Sequence, residues 1–142
     1  IAAGNDVAGA ALAWLDTHGA EAPALIHSSA PPEDVARVQA QLGIEEAGAL
    51  VEAAMGRIAA GLVARGVGQI IIAGGETAGA AVRGLGVKAL RIGPEIDPGV
   101  PWTEALSTPP LALALKSGNF GGEDFFAKAF GMLTPRSKNN DA

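Results

Sequence analysis

The chain contains no cysteine and no tyrosine, and only 4% of its residues are aromatic. Without cysteine there is no disulfide scaffold, no zinc–thiolate site and no thiol nucleophile. So few aromatic rings argue against a base-stacking RNA surface. Positive charge is also scarce. Ten Lys and Arg face fifteen Asp and Glu, and the net charge of −5 argues against DNA or an anionic membrane as partner. No apolar run is expected to approach the roughly 18 residues of a membrane span, and no signal-peptide pattern is visible. These absences point to the cytoplasm. The first residue is Ile1 rather than Met, which suggests a piece of a longer chain.

What is present suits one compact domain. Of 142 residues, 49% are apolar and 18% charged, enough for a real core. The apolar share leans on 30 alanines, and 20 glycines add to the small side chains, so backbones can approach each other and a ligand closely. Such helices suit intramolecular packing or a subunit interface equally, which leaves a homo-oligomer open.

Asn5 to Gly19 reads as a helix, capped by Asn5 or Asp6, with Val7, Ala8, Ala11, Leu12 and Leu15 on one stripe. Pro23 to Ser28 reads as a short buried strand. Pro31-Pro32-Glu33-Asp34 opens a helix that Gly43 ends after Leu42. A longer helix spans Ile44 to Arg65. Its internal glycines each cost about 1 kcal/mol relative to Ala, offset by close packing against a sheet. Gln69 to Ala73 is a continuous apolar run typical of a strand buried on both faces, and it leads into Gly74-Gly75-Glu76-Thr77 and a helix to Leu85. Val87 to Ile92 and Leu111 to Leu115 are further strands, separated by a proline-broken stretch from Gly93 to Pro101. A last helix runs from Gly122 to Met132. The domain is expected over residues 1–133, with a polar tail at 134–142. Alternating strands and helices imply a three-layer α/β/α domain with a largely parallel sheet.

In open α/β sheets, ligands sit outside the carboxyl ends of strands. Three such ends carry small, polar or glycine-rich sequence: Ser28-Ser29, Gly74 to Thr77, and Lys116 to Gly121. A sharp strand-to-helix turn leaves backbone N–H groups unpaired, and glycines let a phosphate approach them. Taken alone, Gly74 to Thr77 is as consistent with a bare structural turn. Lys116 can meet a phosphate as a point charge, and Gly118, Asn119 and Gly121 allow its loop to bend back. Ser28 and Ser29 read more simply as caps of the next helix. His18 and His27 have no carboxylate at a useful spacing and read as structural. Glu76 and Asp124 can help hold Mg²⁺ beside phosphates, although acids at helix starts need no metal to explain them, and no dedicated metal site is expected. The Walker A ending, the dinucleotide fingerprint and the G-x-S-x-G elbow are all missing.

Ile71-Ile72-Ala73-Gly74-Gly75-Glu76-Thr77-Ala78 and Leu115-Lys116-Ser117-Gly118-Asn119-Phe120-Gly121-Gly122-Glu123-Asp124-Phe125-Phe126 together resemble the C-terminal nucleotide-binding domain of the four-carbon acid sugar kinases. Arg91 to Trp102 also looks like family sequence, and the similarity covers Asn5 to Met132. The resemblance implies a two-domain enzyme that moves the γ-phosphoryl of ATP, with Mg²⁺, to a hydroxyl of a 3-oxo-tetronate-, erythronate- or threonate-type acid. Its ATP contacts fall on a serine of Ser28-Ser29, on Gly74, Gly75, Glu76 and Thr77, and on Gly118. The family's Asp-Asp motif, carried by the N-terminal domain that holds the sugar acid and supplies the base, is absent here. The chain alone should therefore bind nucleotide without turning over sugar. Two other readings compete: a non-catalytic nucleotide- or anion-binding regulatory module, and an interaction domain whose glycines serve only packing.

Overall fold

The computed structural model describes residues 5–18 and 22–133. Helices α1 (Val7–His18), α2 (Pro32–Leu42) and α3 (Ile44–Ala64) precede strand β1 (Gln69–Ala73) and helix α4 (Gly75–Gly84). Three strands then follow without an intervening helix: β2 (Leu90–Asp97), β3 (Val100–Ala105) and β4 (Leu111–Lys116). Helix α5 (Phe125–Leu133) comes last. The expected polar tail and the glycine closing α1 lie outside the described residues.

The four strands form one sheet in the order β1-β4-β3-β2. Only β1 and β4 are parallel; β3 runs antiparallel to both β4 and β2. The sheet is therefore mixed, not largely parallel. The cause is the run of strands after α4, since a parallel pair needs a long crossover whereas short connections return the chain antiparallel. The stretch from Gly93 to Pro101 is not broken either. It forms a hairpin whose turn is Pro98-Gly99, with Gly99 at φ +80°. Pro94 is tolerated because β2 is an edge strand.

Alternation along the strands sends side chains to two apolar clusters. Ile70, Ile72, Leu111 and Leu113 pack with Ala59 of α3 and Ala81 of α4. Trp102, Ala114, Ile96 and Val100 pack with Phe125 and Ala129 of α5, where Trp102 Nε1 donates to the Ala129 carbonyl at 2.9 Å. The period of two in each strand thus places helices against opposite faces of the sheet.

Pro23 to Ser28 is not a strand. Leu25 is 74% exposed and Pro23 has no N–H to donate, so the run neither buries a face nor completes a ladder. It lies along β1 across an apolar cleft of about 620 Å³ whose walls include Leu25, Ile26, Ile70, Ile72 and Phe130. The glycines of α3 also differ from expectation. Gly56 packs against α4 rather than the sheet, and a Cβ on Gly84 would come within 2.7 Å of the Gly56 carbonyl oxygen. That backbone approach offsets the helix-propensity cost of both residues. Helix α3, 21 residues with a mean hydropathy of 1.4, is long and apolar enough to cross a bilayer, contrary to expectation. Here it packs against α1, α2 and α4, and Arg57 and Glu52 near its middle pair with Asp6 and Arg83.

Candidate functional site

Ala73 and Lys116 end the parallel neighbours β1 and β4 in register, so two loops leave the sheet side by side. The amide of Gly74 donates to the Lys116 carbonyl at 2.8 Å and ties the loops at their base. Gly74 has φ +115°, a conformation that side chains rarely adopt, and the chain turns there directly into α4. Its neighbour Gly75 has no such constraint. A Cβ there would meet only the Ser117 hydroxyl oxygen, at 3.3 Å, a close contact with the end of a short side chain that must give slightly.

The first bond into α4 runs from the Ala78 amide to the Gly74 carbonyl. The amides of Gly75, Glu76 and Thr77 precede it and lack helical acceptors, and no side chain caps them. Three N–H donors and the positive end of the helix therefore face the space between the loops' bases.

In the second loop, Lys116 Nζ donates to the Gly118 carbonyl at 3.0 Å. Gly118 (φ +54°) and Gly121 (φ +88°) reverse the chain, and Asn119 and Phe120 stand exposed at its tip. A Cβ on Gly121 would come 2.6 Å from the Phe125 ring, so the loop rests directly on the core. The predicted residues thus gather at two adjoining strand ends. Gly74 lies at the turn after β1, with Gly75, Glu76 and Thr77 in the first turn of α4. Lys116 ends β4, with Gly118, Asn119 and Gly121 in the loop that follows. Ser28 and Ser29 are exposed in the irregular segment before α2, and among the described residues no hydrogen bond links either to the loops. Nor do they cap α2, whose N-cap is Pro31 with no side-chain bond. His18 is structural as expected, stacked on Trp14 with ring centroids 4.5 Å apart.

The sequence reading missed Asp97. At the end of β2, its carboxylate accepts from the Gly122 amide at 3.0 Å and pairs with Lys128 of α5. Lys128 and then the Gly122 amide hold this carboxyl below the usual carboxylate range. Its stabilisation is therefore full above an unfolded aspartate's pKa of about 3.9 and is lost as pH falls through the lower folded value. The Asp-Pro-Gly turn signature was the available clue, since it places an acid at a hairpin corner. Asp6 and Asp16 are also lowered, Asp6 chiefly by the Gly9 amide and Asp16 by Arg65. Their partners, Arg57 on α3 and Arg65 just after it, tie the α1 segment to that helix. Among the described residues, no three His, Cys, Asp or Glu side chains gather as metal ligands.

A family described as the nucleotide-binding C-terminal domain matches residues 2–126. The chain belongs to that family. The four-carbon acid sugar kinase resemblance carried by the two loop motifs is borne out. A 3-oxo-tetronate kinase of Cupriavidus necator is 56% identical over 94% of the chain, and one of Pseudomonas fluorescens is 54% identical over the same share. The chain spans about 30% of the length of each of these relatives. The crystal structure of a Haemophilus influenzae protein aligns with 90% of the chain and 31% of its own, at a TM-score of 0.79 and 37% identity.

Proposed function

We propose that this nucleotide-binding C-terminal domain holds the phosphates of ATP between the Gly74–Thr77 and Lys116–Gly121 loops. The whole protein would be a kinase that phosphorylates a four-carbon sugar acid of the 3-oxo-tetronate type. The observation that carries the reading is the registered pair of strand ends, which sets three amides without helical acceptors beside a lysine and a glycine-rich loop. In this reading residues 1–133 form a three-layer α/β/α domain, the C-terminal half of a two-domain kinase in the cytoplasm. Apolar clusters on both sheet faces support the layering.

Phosphoryl transfer depends chiefly on positioning and on neutralising the transferred group's charge. The amides of Gly75, Glu76 and Thr77 would bind phosphate oxygens, and Lys116 would add a full positive charge. Its ammonium has two donors beyond the one used on Gly118. Glu76 in the first turn of α4 is suited to Mg²⁺ shared with the phosphates, because that ion commonly takes one or two carboxylates plus phosphate oxygens. Bound there, Mg²⁺ would neutralise phosphate charge. The orienting of the sugar acid and the base that accepts its proton belong to a partner domain. A hydroxyl of Ser28 or Ser29, both exposed in the segment before α2, would add a contact to ATP, as the family resemblance implies.

Gly75→Val tests this directly, because the backbone accepts a side chain there while an approaching phosphate would not. The variant should keep its unfolding free energy within about 1 kcal/mol and lose at least about tenfold in ATP affinity, some 1.4 kcal/mol. Unchanged affinity on calorimetric titration would refute a phosphate at this turn.

A further inference from the structure

Asp97 is the least exposed charged side chain among the ion pairs of the described residues, at 12%. It lies 25 residues from Gly122 in sequence, yet one oxygen accepts that residue's amide while the other meets Lys128. The aim of this side chain is built into the strand. The β2–β3 register shifts twice, between Ile92 and Glu95 and again between Glu95 and Asp97. Such bulges re-aim side chains, often beside functional sites.

Neighbouring contacts close the same corner. Glu95 accepts the Gly99 amide at 2.8 Å, fixing the hairpin turn. A Cβ on Gly99 would lie 3.3 Å from the Phe120 ring, so the turn abuts the tip of the second loop. Lys128 faces Asp124 and Glu95 as well as Asp97. The hairpin end therefore braces one side of the loop, and the Phe125 ring under Gly121 supports it from below.

We propose that Asp97 is a positioning residue, whose hydrogen bond to the Gly122 amide holds the Lys116–Gly121 loop in the shape that receives phosphate. Nothing requires Asp97 to touch ATP; it acts through the loop. A bound carboxylate also keeps the Gly122 amide from turning outward, while Lys128 orients the carboxylate. This inference rests on the nucleotide reading above.

Asp97→Ala and Asp97→Asn separate this role from that of a mere ion pair. The carboxamide oxygen of Asn can still accept the Gly122 amide but cannot pair with Lys128 as a charge. In the full-length protein carrying this domain, Asp97→Ala should raise the KM for ATP at least about tenfold at constant sugar acid. The Gly122 amide should exchange at least about tenfold faster in the ligand-free protein. Asp97→Asn should restore both to within about threefold of wild type. Equal effects of the two variants, or an Asp97→Ala enzyme with unchanged KM and exchange, would overturn the inference and leave ATP binding intact. A wild type that binds no ATP would overturn the nucleotide reading, and this positioning role with it, before any variant is compared.

Discussion

A folded, purified chain of these 142 residues should show phosphorylation of sugar acids near background, even with ATP and Mg²⁺ saturating. In the proposed reading the two loops hold the triphosphate, but the chain has no Asp-Asp pair of the kind that the family resemblance assigns to the sugar. Without a partner domain, no hydroxyl is held in line with the γ-phosphoryl group. Positioning of two reactants contributes up to about 7–11 kcal/mol, or roughly five to eight powers of ten in rate. Adding the N-terminal substrate domain in trans, or restoring the full chain, should recover ATP- and Mg²⁺-dependent transfer to a 3-oxo-tetronate-type acid. An isolated chain turning over such an acid at an ordinary kinase rate, about 1–100 per second, would refute the division of labour.

The second large effect is on stability. Phe125 is 1% exposed and packs in one cluster with Ile96, Val100, Trp102 and Ala114, and Gly121 lies against its ring. Phe125→Ala removes the ring from a site that the sheet prevents from closing, so loss of burial and a residual cavity both count. The expected cost is about 3–5 kcal/mol. Against a total stability of roughly 5–15 kcal/mol, that is a substantial fraction. The adjacent Phe126 is 44% exposed, and Phe126→Ala should cost no more than about 1–2 kcal/mol. Urea unfolding of both variants checks the contrast. Equal midpoints would mean that the ring of Phe125 is not the floor of the second loop.

The parts of the fold visible in sequence were those governed by local pattern. Helix α3 follows from apolar recurrence over Ile44 to Ala64, and β1 from the unbroken Ile70-Ile71-Ile72 run. Asp6 caps α1 as its spacing suggests, accepting the Gly9 amide at 3.1 Å. The β2–β3 hairpin was hidden because prolines usually interrupt strands, and only the sheet order shows Pro94 to be on an edge. Pro23 to Ser28 has a strand's composition, yet composition cannot say whether a ladder partner is available.

The same division holds for the candidate site. Gly74 to Thr77 and Lys116 to Gly121 each stand at the end of a strand legible by itself, so their sequences exposed them. That they adjoin depends on the parallel pairing of β1 with β4, which the sequence did not specify. Asp97 was invisible because its role comes from two register shifts and a contact across 25 residues. Ser28-Ser29 is legible as a motif, but it is exposed in an irregular segment, and among the described residues no hydrogen bond ties it to either loop.

Amide-resolved NMR during titration with Mg²⁺ and ATP tests whether ATP phosphates sit between the two loops. Saturable shifts are expected at the amides of Gly75, Glu76, Thr77, Gly118 and Gly121, with Kd between about 1 μM and 1 mM, and small changes on α1 and α2. Saturable shifts confined to other residues, or no shifts at millimolar ATP on folded protein, would contradict that placement.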